Sequence, residues 1–138
     1  MKPFKVRIIE ADNTFYDGEM TSLVVPAVDG EYGVLADHQN LAIAIVPGMI
    51  RFHDEEDAEM MAFVSDGMMR VEDGEVLLLV DSAEWPDEID AERVKAKEAA
   101  AREALLQKKS AREYTLAEAS LKRAISRMRV VNHNDLGM

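Results

Sequence analysis

The side chains able to do chemistry are few and scattered. The three histidines, His38, His53 and His133, stand far apart in the sequence. No His-Glu-x-x-His, Gly-x-Ser-x-Gly or Gly-x-x-x-x-Gly-Lys-Ser/Thr pattern occurs, so neither a zinc site, a nucleophile elbow nor a phosphate loop is offered. Asp37-His38 sets an acid beside a base, but neighbours on an extended chain point to opposite faces, which makes a poor catalytic pair and fits a histidine in a turn. The acidic run Asp54-Glu55-Glu56-Asp57 with Glu59 would suit a hard cation such as calcium or magnesium. It lacks the alternating ligands and central Gly of a calcium loop and reads as a solvated hairpin tip, so no metal is expected. What remains is a cationic set, Lys122, Arg123, Arg127 and Arg129 near the C-terminus, and the pair Asp90 and Arg93, three apart and hence on one helical face. Such cations suit anions or acidic surfaces, and no nucleophile with its base can be nominated.

The charge is divided along the chain in the same way. The 138 residues carry 16 Lys plus Arg against 27 Asp plus Glu, a net charge of -11. Residues 1 to 90 hold 5 basic and 21 acidic side chains, a net -16, while residues 91 to 138 hold 11 basic and 6 acidic ones, a net +5. An acidic body with a basic tail suggests that the two parts meet different partners, and the acidic excess argues against nucleic acid. No Cys is present, so there is no disulfide framework or thiol chemistry, which fits a reducing compartment. No apolar run approaches the length of a membrane span, and the start lacks the pattern of a secretory signal.

Periodicity changes at the same boundary. Short alternating or β-rich runs cover Phe4 to Ile9, Thr21 to Ala27, Leu41 to Val46, Gly48 to Phe52, Met60 to Ser65, Met68 to Val71 and Val76 to Val80. Turn residues punctuate the region at Asp17-Gly18, Asp29-Gly30, Pro47-Gly48, Asp66-Gly67 and Asp73-Gly74, the rhythm of an all-β sandwich or barrel. Asp73-Gly74 between two apolar runs is the clearest hairpin. After Trp85-Pro86 the composition becomes rich in Ala, Glu, Lys, Arg and Leu. A first helix is expected from near Asp87 or Asp90 through Leu106, and a second from about Thr115 to Val131, joined by a polar link at Lys108-Lys109-Ser110. Ala117, Leu121, Ala124, Ile125, Met128 and Val131 form its apolar stripe, leaving Lys122, Arg123, Arg127 and Arg129 largely outside. The expected fold is an N-terminal antiparallel β-sandwich over residues 1 to 84 and a C-terminal antiparallel two-helix hairpin over 85 to 138.

Asp29-Gly30-Glu31-Tyr32-Gly33-Val34-Leu35-Ala36-Asp37-His38, followed by Leu41 and Val46-Pro47-Gly48-Met49-Ile50-Arg51, resembles the signature region of the epsilon-subunit family of F-type ATP synthases. The resemblance extends through Val24-Val25-Pro26, Ser65-Asp66-Gly67, Ala83-Glu84, Ile89-Asp90, Arg123-Ala124-Ile125 and Met128-Arg129-Val130. It implies a bacterial-type, noncatalytic rotor subunit at the cytoplasmic face of the plasma membrane, peripheral to it and not inserted. The implied partners are the gamma subunit, the c-ring and the alpha/beta catalytic hexamer. Glu31 and His38 correspond to the c-ring side. Lys122, Arg123, Arg127 and Arg129 correspond to the helix that restrains ATP hydrolysis by meeting acidic loops of the catalytic subunits.

Some members also bind ATP as a regulatory ligand through an Ile/Leu-Asp-x-x-Arg-Ala motif. It reads here Ile89-Asp90-Ala91-Glu92-Arg93-Val94, with Arg123 and Arg127 at matching places in the last helix. Val94 stands where the family has Ala and would crowd a base, and Ala100 falls where ATP-binding relatives carry another Arg. Asp90 as a helix cap and Arg93 as a surface residue is the competing reading. A free-standing ATP-sensing module is the alternative function; it would bind ATP without holding gamma.

Overall fold

The computed structural model describes residues 1–107 and 110–136, so Lys108 and Lys109 of the expected link lie outside the described residues. Nine strands come first: β1 Phe4–Glu10, β2 Asn13–Ala27, β3 Gly30–Val34, β4 Leu41–Ile45, β5 Gly48–Asp54, β6 Glu59–Val64, β7 Gly67–Glu72, β8 Glu75–Val80 and β9 Ala83–Glu84. A 3-10 turn at Pro86–Glu88 leads into α1 Ala91–Gln107, which is followed by α2 Ala111–Leu136.

The strands form two layers that share β2. Its first half pairs antiparallel with β1, which lies parallel to β8; β8 pairs with β7 and β7 with β4. Its second half pairs with β3 and β5, and β6 and the short β9 complete that layer. Alternation does the rest: Phe4, Val6 and Ile8 of β1, Leu23 and Val25 of β2, Ile50 and Phe52 of β5, and Leu78 of β8 all turn inward into one buried core.

Two strand segments escape a reading of sequence. Asp17-Gly18 lies inside β2 and not at a turn, because Asn13 to Met20 runs beside β1, with a register shift between Ile8 and Ile9 absorbing the irregularity. Gly30 to Val34 forms an edge strand whose pairing with β2 compensates for its two glycines. The Asp73-Gly74 hairpin forms as expected, with φ of 52° and 80°, the positive values that a two-residue type I′ turn demands.

Gly67 opens β7 directly against β8. A Cβ there would fall on the Leu79 carbonyl oxygen and within 2.8 Å of Val80 Cα. Gly67→Ala therefore forces backbone apart in a paired strand, and we expect a loss of about 3 kcal/mol of stability by chemical denaturation, at the upper end of overpacking costs. An unchanged denaturation midpoint would contradict the packing described.

Asp90 caps α1: its Oδ1 accepts the Arg93 backbone N–H at 3.1 Å, and its carbonyl accepts that of Val94 at 3.0 Å. Ser110 caps α2 in the same way through the Glu113 N–H at 3.1 Å. That cap starts α2 four residues before the expected Thr115. Only Val94 and Ala101 of α1 are buried, and α1 leans chiefly on α2. Among the described residues no helix is long and apolar enough to cross a membrane.

Candidate functional site

The hairpin reaches the sandwich along one seam, where α2 lies over the outer face of β5 and β6. A second apolar cluster fills it, separate from the sandwich core: Met61 and Phe63 from β6, Ile89 and Val94 from the approach to and first turn of α1, and Ala124 and Val130 from α2. Ala124 lets the α2 backbone come close, as the small residues at this spacing predict. Val130 is fully buried while Ile125 stays exposed, so the stripe is rotated from the one expected. The cause is that α2 must face the sheet as well as α1.

At the middle of the seam stands Arg127. Its Nε and Nη2 donate to both oxygens of Glu84 at 3.1 to 3.3 Å, and its guanidinium carbon lies 4.3 Å from the centroid of the Phe63 ring. Phe63 and Glu84 are direct cross-strand partners on β6 and β9, so the two-residue β9 sets a carboxylate beside a ring. Arg127 is thereby drawn inward to 19% side-chain exposure, with Glu84 at 28%. This corrects the expectation that Arg127 remains outside: a forked two-point ion pair over an aromatic face compensates for the lost hydration. A weaker link, His133 Nε2 to Glu59 Oε1 at 3.2 Å, joins α2 to the start of β6. The basic hairpin thus meets the acidic body through its own charges.

Titration is clearly displaced at Tyr16 of β2, outside the seam. Burial raises its hydroxyl above the ordinary value, and the nearby Asp54 and Glu55 carboxylates add to the shift. The acidic β5–β6 turn is internally satisfied, since Asp54 Oδ1 accepts the backbone N–H groups of Glu56 and Ala58, each at 2.9 Å. Among the described residues no group of three or more His, Asp or Glu side chains stands close enough to hold a metal ion.

A family model described as "ATP synthase, Delta/Epsilon chain, beta-sandwich domain" matches residues 3–86, and one described as "ATP synthase, Delta/Epsilon chain, long alpha-helix domain" matches residues 87–132. The chain belongs to the ATP synthase delta/epsilon family. Curated proteins named ATP synthase epsilon chain are among its relatives. The ATP synthase epsilon chain of Caldanaerobacter subterraneus subsp. tengcongensis is 36% identical over 131 residues, covering 95% of each chain. That of Shouchella clausii is 36% identical over 133 residues, covering 96% of this chain and 98% of the relative. Among solved structures, a chain of the Euglena gracilis mitochondrial ATP synthase, from a cryo-EM structure of OSCP/F1/c-ring, has a TM-score of 0.85 at 21% identity and covers 94% of this chain and 81% of that one. A chain of the Tetrahymena thermophila mitochondrial ATP synthase, from a central stalk/c-ring structure, has a TM-score of 0.61 at 10% identity, with 92% and 95% coverage. Both show the same fold.

The residues to which this delta/epsilon family resemblance assigns roles fall into three places. Glu31, on β3, gives its carboxylate to Arg51 Nη2 at 2.6 Å. His38, in the β3–β4 loop, donates from Nδ1 to the Gln39 carbonyl at 2.7 Å and accepts the Tyr32 hydroxyl on Nε2 at 2.9 Å. Tyr32 leaves β3 on the face opposite to Glu31, so the structure does not bring Glu31 and His38 together. Ile89 and Val94 are buried in the seam, Asp90 caps α1, and Arg93 is exposed. Arg123 is half-buried and Arg127 is held by Glu84. Lys122 pairs with Glu118 along α2 at 3.5 Å, and Arg129 is exposed. Sequence reasoning missed Glu84 and Phe63 as functional candidates; only the pairing of β6 with β9 reveals them.

Proposed function

We propose that this chain works as the epsilon subunit of a rotary ATP synthase, a noncatalytic part of the central stalk on the cytoplasmic side of a bacterial plasma membrane. On this reading the sandwich docks on gamma and the c-ring and transmits rotation, and the hairpin restrains ATP hydrolysis when it leaves the seam and meets the catalytic alpha/beta hexamer. The observation that carries the reading is a likeness running through both modules, over 95% of this chain and 95% of an epsilon-chain relative.

The outer face of β1, β8, β7 and β4 supplies a surface suited to docking. Ile9, Leu79, Met68 and Ala44 stand side by side across the four strands, and Arg7, Leu77, Arg70 and Ala42 form the next row. Met68 and Leu79 are 49% and 45% exposed, large apolar groups that a strand would otherwise turn inward. Three of the five basic residues among the first 90, Lys5, Arg7 and Arg70, line one shallow cleft on this face. An apolar row beside two arginines fits a protein partner with apolar and acidic groups, and we assign it to gamma.

A chain carrying both Met68→Glu and Leu79→Glu should keep its circular dichroism and lose its complex with gamma in a pull-down, because two new carboxylates then replace the apolar row. Undiminished capture of gamma would overturn this assignment. ATP, as a regulatory ligand, would meet Arg93 and Arg123 directly, and Arg127 only after release from Glu84.

A further inference from the structure

A second cleft, of about 380 Å³, lies between the sandwich and α2 away from the Glu84–Arg127 pair. Glu31 and Arg51 line it from the sheets, and Ser126, Arg129 and His133 from α2. These three α2 residues recur at spacings of three and four, which stacks them on one stripe of the helix. Arg51 is the informative member. The edge of its guanidinium formed by Nε and Nη2 is built to hold two oxygens at once. Glu31 fills only half of it, with one oxygen on Nη2 at 2.6 Å. Nε is buried and has no acceptor among the described residues. A buried N–H without an acceptor is costly, and native structures seldom keep one without a reason. The side chain as a whole remains 37% exposed, so a ligand entering from solvent meets the guanidinium and gains Nε by displacing Glu31 from its edge. Arg129, exposed and without an ion pair among the described residues, adds a cation from the opposite wall, and Ser126 adds a hydroxyl donor.

We propose that this cleft is a binding site for a phosphate-type oxyanion, held by the Nε/Nη2 edge of Arg51 from the sandwich and by Arg129 and Ser126 from α2. Glu31 is the anion's internal competitor for that edge. Because the two walls belong to different modules, the bound anion ties the hairpin to the sandwich. The site shares no residue with the pair formed by Glu84 and Arg127 or with Asp90, Arg93 and Arg123. It stands independently of docking on gamma.

The test is titration calorimetry on the full chain with inorganic phosphate, and in parallel arms with ADP and ATP. Phosphate should bind, and Arg129→Ala, on an exposed position that leaves the fold intact, should weaken binding about tenfold, the loss of one charge-assisted contact. Glu31→Ala should tighten it several-fold by vacating the guanidinium edge, an effect that a structural role for Glu31 would not produce. Arg112→Ala, at an exposed position near the start of α2, should leave phosphate affinity unchanged. If ADP or ATP binds with the same response to Arg129→Ala and Glu31→Ala, the oxyanion is the phosphoryl group of a nucleotide; if phosphate alone does so, it is the free anion. Absence of phosphate binding at millimolar concentration, or binding indifferent to both substitutions, overturns the proposal, and the gamma pull-down is untouched by either result.

Discussion

An enzyme assembled with a chain ending at Glu88 should hydrolyse ATP at least about fivefold faster than one carrying the full chain, the smallest effect expected of a coupling of about 1 kcal/mol between regulatory and catalytic parts. The truncation removes both helices and leaves the strands whole. It is expected to spare assembly because the sandwich core, from Phe4 to Ala83, is built without any residue of α1 or α2. What it exposes is the outer face of β6 at Met61 and Phe63, an apolar patch that will lower solubility more than it lowers fold stability. The ATPase rate of the reconstituted enzyme, measured beside the amount of chain retained on gamma, separates the two consequences. A truncated chain that assembles and inhibits as strongly as the intact one would remove the hairpin from regulation.

The second large effect concerns the hold between hairpin and body. Arg127→Ala deletes three hydrogen bonds to Glu84 and the contact with the Phe63 ring, and leaves Glu84 partly desolvated without a partner. Hydrogen bonds to charged groups contribute about 1.5–3 kcal/mol each when well shielded, whereas both partners here keep some contact with water. We therefore expect about 2 kcal/mol for the whole arrangement, a shift of about thirtyfold toward the undocked hairpin. The apolar cluster of Met61, Phe63, Ile89, Val94, Ala124 and Val130 remains, so the hairpin loosens without unfolding. Glu84→Gln should have a smaller effect in the same direction, since an amide still accepts from the guanidinium. Hydrogen exchange along α2 would record both. Protection of α2 unaltered by Arg127→Ala would show that the apolar cluster alone fixes the hairpin.

Much of this architecture is legible in the sequence because it rests on local rules. Alternation in Phe4 to Ile9, positive φ at Asp73-Gly74, and the capping carboxylate of Asp90 each follow from residues within a few positions of one another. The first half of β2 and the edge strand β3 are less legible, because Asp17-Gly18 carries turn chemistry that pairing with β1 overrides, and the glycines at 30 and 33 leave β3 no apolar alternation to read. The seam lies furthest from view. Glu84 and Arg127 are 43 positions apart, and each alone is one more charge in a chain rich in charges. Nothing in the spacing of Phe63 marks it as the ring beneath a guanidinium. Val94 is an instructive middle case: its departure from the family's Ala is visible in the sequence, yet its role as a wall of the seam emerges only when α1, α2 and β6 are seen together.

The absence of cysteine makes the most direct test clean, since introduced thiols are the only ones in this chain to label before assembly. Cysteines placed at Glu55, on the exposed β5–β6 turn, and at Asn132, exposed on α2, report by fluorescence energy transfer whether the hairpin lies on the sandwich. Measured in the assembled enzyme, the two labels should be close while ATP is being hydrolysed and far apart in the inhibited enzyme, with Arg127→Ala increasing the distant population. The same short distance in active and inhibited enzyme would contradict an account in which release of the hairpin from the seam is what restrains hydrolysis.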